Sequence, residues 1–110
     1  MRPGAVVLSV IAGWDLDRLE AAVPGTSLAR TMPNLAVRHG AGVVVLATRG
    51  LDDPAEAELL RVLRPLGTVL AMPESLFPAA TALAGSGPGL LALVAEGLEE
   101  GGVTAGLTRP

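Results

Sequence analysis

Residues 81–88 read Thr-Ala-Leu-Ala-Gly-Ser-Gly-Pro and lead straight into an apolar segment tipped with acids, an arrangement suited to holding an anion. Ser86 is a favourable helix N-cap residue and Pro88 suits a first helical turn. The spacing therefore predicts a helix start at which free backbone N–H groups converge on the positive end of a helix dipole. Gly85 and Gly87 would let a carboxylate or phosphate approach the main chain closely. The same residue types also make an ordinary helix start after a flexible turn, so the motif by itself leaves both readings open.

A second stretch, Arg30-Thr31-Met32-Pro33-Asn34, is followed eight residues on by the apolar run Gly42-Val43-Val44-Val45-Leu46-Ala47. Ser9-Val10-Ile11-Ala12-Gly13 lies upstream, and Gly101-Gly102-Val103 with Gly106-Leu107 lies downstream. In order and spacing these motifs resemble the pyrroline-5-carboxylate reductases, the NAD(P)H-dependent enzymes of the last step of proline synthesis, over nearly the whole chain.

The resemblance implies the second half of a Rossmann-like dinucleotide-binding domain in residues 1–73, followed by the beginning of a helical dimerisation domain in residues 74–110. It implies reduction of the cyclic imine 1-pyrroline-5-carboxylate to L-proline by hydride from NADPH or NADH. Such a reaction asks little of side chains. The protein must hold two rings face to face, neutralise a carboxylate and exclude water. On this reading Ala12 and Gly13 lie beside the nicotinamide, and Met32, Pro33 and Asn34 line the same pocket. Asn34, able to donate and accept at once, would hold the nicotinamide amide, anchor the loop or simply form the turn. Gly85, Ser86, Gly87 and Pro88 would receive the substrate carboxylate. Glu74 would stand toward the imine, and Thr81 would brace the loop.

The chain departs from the family at several points. Gly89-Leu90 follows the proline where the family has Ala-Tyr, and Leu35 stands where a threonine is common. No Gly-rich strand-turn of the pyrophosphate-cradling type occurs in these residues. The 110 residues therefore resemble the middle of a longer enzyme, with homo-oligomerisation expected of the full-length family and no turnover expected of the chain alone. A reductase of another imine or keto acid, and a non-enzymatic remnant or dimerising module, are the competing readings.

Composition restricts the rest. Without cysteine there is neither a disulfide framework nor a thiolate metal site. All eight basic residues are arginine, so Schiff-base chemistry and the lysine of a Walker-type loop have no residue to use. A net charge of −3 with scattered arginines argues against nucleic acid. The apolar run at residues 85–95 is shorter than a bilayer requires, and no secretory signal is visible, so a cytoplasmic protein without membrane contact is expected. Mean hydropathy is high at +0.53, which implies apolar surface that another body covers. His39, the sole histidine, reads as a loop residue without a nucleophile partner. Asp52-Asp53 reads as a cap and Glu99-Glu100 as solvated acids, Glu96 as an exposed helical glutamate, and Trp14 as packing or as a ring shield.

The elements that must position these residues alternate. Residues 5–12 form an apolar, β-branched run of the kind buried on both faces of a parallel sheet. Residues 15–23 carry Leu16, Leu19 and Val23 at helical spacing behind Asp15. Residues 27–32 and 42–47 read as strands, 54–64 as a helix behind Asp52 and Asp53, and 68–72 as a closing strand. Helical periodicity takes over after Pro73.

Overall fold

The computed structural model describes residues 4–109. Its first strand, β1 (Val6–Ser9), leads to helix α1 (Leu16–Ala22), whose start is fixed by the Asp15 carboxylate accepting the Arg18 N–H at 2.8 Å. Strand β2 (Ser27–Pro33) follows, then a 3₁₀ helix (Leu35–His39) and strand β3 (Gly42–Arg49). Helix α2 (Asp53–Leu63) is capped by the Asp52 side chain on the Ala55 N–H at 2.9 Å and leads through a 3₁₀ turn (Arg64–Leu66) to β4 (Gly67–Ala71).

The strands lie in the order β1-β2-β3-β4. β1 and β2 are parallel, as are β3 and β4, but β2 and β3 are antiparallel, so the sheet is mixed. Chain length explains the reversal. A parallel crossover needs a dozen or more residues, and the connection at residues 34–41 is shorter than that. The expectation that the first strand is buried on both faces is corrected: Val6 and Val7 are half-buried, and Leu8, with Val10 and Ile11 beyond the strand, is exposed.

Side-chain alternation divides the core between the two faces of the sheet. Leu28, Val45 and Ala47 face Leu16 and Leu19 of α1 together with Phe77, while Ala29, Val44 and Leu46 face Leu59 and Leu63 of α2. Phe77 is 2% exposed, and its burial contributes about 1.5–3 kcal/mol. At Gly67, φ is +134° and a Cβ would strike the backbone of Gly42 across the β3–β4 ladder, so only glycine lets these strands begin side by side.

After β4 the chain turns all-helical: a 3₁₀ turn (Glu74–Leu76), a single α-turn α3 (Phe77–Ala80), a π-helical segment (Thr81–Ser86) and the long helix α4 (Gly87–Thr104). Leu90, Leu91, Leu93, Val94 and Leu98 of α4 are all exposed. The helical run Glu74–Thr104 is long and apolar enough, by length and composition, to cross a membrane. The sequence suggested a shorter apolar stretch, residues 85–95, whereas the structure carries helix continuously from Glu74 with Pro78 and Pro88 inside the run.

Candidate functional site

β1 and β2 run parallel with Ser9 level with Arg30, so the two strands deliver Ala12-Gly13 and Met32-Pro33-Asn34 to the same end of the sheet. In an open sheet, ligands bind beyond the carboxyl ends of parallel strands. Gly13 has φ of +80°, and a Cβ built there would meet nothing within 4 Å, so the turn is open to a ring laid against it. Ala12 and Gly13 are exposed, Pro33 and Asn34 are half-buried, and Met32 packs against the core under α1.

Asn34 links the two principal motifs. Its Oδ1 accepts the Val43 N–H at 3.1 Å, and its backbone N–H donates to the Val43 oxygen at 3.1 Å, closing the β2–β3 connection. Its Nδ2 donates to the Ala84 oxygen at 3.0 Å. Ala84 is the carbonyl that an α-helix would bond to residue 88, and Pro88 has no N–H to give. The asparagine therefore supplies the donor the proline lacks, and its amide is engaged in anchoring the loop.

Helix α4 begins where the sequence predicts, with Ser86 at its N-cap position and Pro88 in its first turn, but the capping role of Ser86 is corrected. Ser86 has helical φ and ψ of −87° and −33°, and its side chain makes no capping bond. The Gly87 N–H bonds the Ala82 oxygen five residues back. Because residues 81–86 widen to π spacing, helix passes through the Gly-Ser-Gly-Pro motif without a free N-terminus, and the converging N–H groups of an anion cradle are absent. π-segments of this type occur often at functional sites. Thr81 opens the segment, and its Cγ2 lies 3.6 Å from where a Gly85 Cβ would stand, which fits a bracing residue.

Glu74 sits on a different part of the same face. Its Oε1 accepts the Leu16 N–H at 2.9 Å and lies 2.7 Å from Arg30 Nη1, and the Arg30 guanidinium carbon stands 4.5 Å from the Phe77 ring centroid. The carboxylate thus completes the N-terminus of α1, the helix that follows the Ala12-Gly13 turn. It joins that helix to β2 and to the first helical turn after the sheet.

Between the 3₁₀ helix and the start of α4 lies an open cleft of about 420 Å³, lined by Leu35, Ala36, Arg38, His39, Gly85, Pro88, Gly89 and Ala92. Of the carboxylate-binding candidates, Gly85 and Pro88 line this cleft, whereas Ser86 and Gly87 do not. His39, expected in a plain loop, ends the 3₁₀ helix and contributes to the cleft wall with Arg38. Sequence reasoning gave Arg38 no role, and its signal was the adjacent basic pair five residues after Pro33. Glu99, expected to be merely solvated, pairs with Arg109 at 2.8 Å. Trp14 belongs to neither core cluster and is 38% exposed. Among the described residues no group of three or more potential metal ligands occurs.

Comparison with known proteins accords with this arrangement. The family described as pyrroline-5-carboxylate reductase dimerisation matches residues 74–110. The pyrroline-5-carboxylate reductase of Synechocystis is 37% identical over 105 residues, covering 94% of this chain and 39% of the relative. That of Mycobacterium leprae is 42% identical over 106 residues, covering 94% of the chain and 36% of the relative. The crystal structure of 1-pyrroline-5-carboxylate reductase from Streptococcus pyogenes superposes with a TM-score of 0.87 at 28% identity, over 94% of this chain and 40% of that one. A Plasmodium falciparum pyrroline carboxylate reductase, solved with NADP bound, has the same fold, with a TM-score of 0.87 at 24% identity over 94% of this chain and 43% of its own. The chain spans about two-fifths of the length of the curated relatives it matches. On the matched sequence, the shared fold and the Met-Pro-Asn and Gly-Ser-Gly-Pro motifs joined through Asn34, the chain is similar over nearly its whole length to a segment of the pyrroline-5-carboxylate reductases.

Proposed function

We propose that this chain forms the nicotinamide-facing and substrate-facing part of an NAD(P)H-dependent reductase that converts 1-pyrroline-5-carboxylate to L-proline in the cytoplasm. The observation that carries the reading is the meeting of two motifs, distant in sequence, at one end of the sheet, where Asn34 is bonded to Ala84. Residues 1–73 serve as the cofactor-side unit and residues 74–110 as the beginning of the dimerisation unit.

The chemistry supplied by bound NADPH or NADH is a hydride for the carbon of the C=N bond. The residues of the chain do the remaining work. Ala12 and Gly13 leave room for a planar ring at the end of β1, supported by the open space around Gly13. Pro33 and Asn34 form the adjoining wall, held rigid by the three bonds of Asn34. Glu74 keeps α1, and with it the Ala12-Gly13 turn, in register with β2. Gly85 and Pro88 form one side of the cleft that takes the substrate. These 110 residues hold no Gly-rich cradle for the cofactor pyrophosphate, so they do not turn over alone. The exposed leucines of α4 fit a second copy of the chain, which agrees with the dimerisation region matched there.

A growth assay tests the reading. The matched segment of the Synechocystis relative is replaced by this chain, and the hybrid gene is placed in a bacterial strain made proline-requiring by loss of its own reductase. Growth without proline is expected. Failure to grow, with the hybrid protein present and soluble, would overturn the reading.

A further inference from the structure

Among the described residues, the buried polar side chains are Ser9 and Thr31, in a core that is otherwise apolar. A buried hydroxyl costs free energy unless it is bonded, and valine, which has the shape of threonine, suits a strand as well. Both hydroxyls are engaged at one place. Thr31 Oγ1 donates to the Ser9 backbone oxygen at 3.1 Å, and Ser9 Oγ accepts the Ile11 N–H at 3.3 Å. Ser9 ends β1, and Thr31 stands one residue beyond Arg30, the ladder partner of Ser9. The pair therefore joins the roots of the two segments that meet at this end of the sheet. Ala12-Gly13 lies shortly beyond Ser9, and Met32-Pro33-Asn34 follows Thr31 directly.

Residues 10–15 are all exposed, so packing does little to place the turn, and its position depends on the bonds at its two ends. At the far end, Arg18 Nη1 donates to the Gly13 oxygen at 3.2 Å, but that bond is exposed and water can take its place. The Thr31 bond is buried, where a hydrogen bond is stronger and its loss is not made good by solvent. The bond from Ile11 back to the Ser9 hydroxyl, a serine turn, then sends the chain away from the strand in one direction.

We propose that Thr31 and Ser9 are positioning residues for the Ala12-Gly13 turn. The Thr31 hydroxyl fixes the Ser9 carbonyl, the Ser9 hydroxyl fixes the Ile11 N–H, and together they set where Ala12 and Gly13 stand relative to Pro33 and Asn34. They act through the turn and touch neither cofactor nor substrate. The proposal deepens the reductase reading and rests on it for the identity of the ring that the turn meets, a nicotinamide; the anchoring itself does not depend on that reading.

Trp14 is the sole tryptophan and lies on this turn, so its fluorescence anisotropy in the full 110-residue chain reports how firmly the turn is held. Thr31→Val and Ser9→Ala should lower the anisotropy. Thr31→Ser, which keeps the hydroxyl, should restore it, and Leu63→Val, a core change under α2, should leave it unchanged. In the hybrid with the Synechocystis relative, Thr31→Val should lower kcat at saturating NADPH at least about tenfold, with a smaller change in KM for 1-pyrroline-5-carboxylate, because the turn no longer holds its place. Thr31→Ser should recover most of that loss, and Leu63→Val should show none of it. Unchanged anisotropy in Thr31→Val, no rescue by Thr31→Ser, or an equal loss in Leu63→Val would each overturn the proposal. An active hybrid whose kcat is indifferent to Thr31→Val removes the positioning role alone. An inactive hybrid, with Trp14 anisotropy still dependent on the Thr31 hydroxyl, removes the reductase reading and leaves the anchor in place.

Discussion

The side chain of Asn34 donates to the backbone oxygen of Ala84 across 50 residues of sequence, and Ala84 is the carbonyl that Pro88 leaves without its usual helical donor. One bond thereby satisfies the helix, closes the strand connection onto it and gathers the two motifs on which the functional reading depends. Asn34→Ala should cost about 1–3 kcal/mol, since it strands the Ala84 oxygen and the Val43 N–H together. Pro88→Ala restores an N–H at residue 88, so the double variant should lose less than the sum of the two singles. Urea unfolding of the four proteins measures that coupling, and strict additivity would mean the bond does not replace the missing helical donor.

Glu74 accepts from both the Leu16 N–H and Arg30, so its removal should loosen α1 before the sheet. Glu74→Ala leaves a guanidinium and a helix N–H without their acceptor and should destabilise by about 1–3 kcal/mol. Glu74→Gln keeps an oxygen for Leu16 and should cost less. Amide hydrogen exchange at residues 16–18 is the direct check: faster exchange is expected in the alanine variant, while rates in β3 change only with global stability.

Two core substitutions separate burial from backbone geometry. Phe77→Ala should cost about 3–5 kcal/mol through the cavity it leaves against Leu16, Leu28 and Val45. Gly67→Ala changes a single methyl group, yet it should weaken the β3–β4 pairing because its Cβ meets the Gly42 backbone at a φ that L-residues rarely adopt. Calorimetric unfolding of both variants would show whether the small change is damaging, and a neutral Gly67→Ala would contradict the ladder register.

Acid titration should reveal a small, local effect in α2. The Arg61 guanidinium donates twice to the Glu58 carboxylate, at 2.7 and 2.6 Å, and holds its pKa below the ordinary carboxylate value. A lowered folded-state pKa means that the stabilisation is present above the unfolded-state value and is lost as pH falls through the folded-state value. Both side chains are exposed, so the contribution is minor. Helicity followed by circular dichroism should fall slightly more on acidification in the natural chain than in Glu58→Gln, and identical acid profiles would remove the pair from the account.

Helix starts at Asp15 and Asp52 were legible in the sequence because N-capping is a local matter, decided within four residues. The four strands were legible from their apolar runs. The antiparallel turn between β2 and β3 was foreseeable only from the length of residues 34–41. Ser86 and Pro88 marked the start of α4, but the π-helical segment that runs into it was not legible. It depends on Asn34, far away in sequence, which supplies Ala84 with the donor that Pro88 lacks. Arg38 stayed inconspicuous for a related reason: an exposed arginine becomes informative only when the fold sets it against a cleft.

The most direct measurement is steady-state reduction of 1-pyrroline-5-carboxylate by two purified proteins, the hybrid with the Synechocystis relative and the 110-residue chain by itself, each supplied with NADPH. The account predicts turnover by the hybrid and none by the chain, whose residues lack a pyrophosphate cradle. A folded, dimeric hybrid without activity would contradict the assignment of the site. Turnover by the chain alone would contradict the division of labour between cofactor binding and substrate binding.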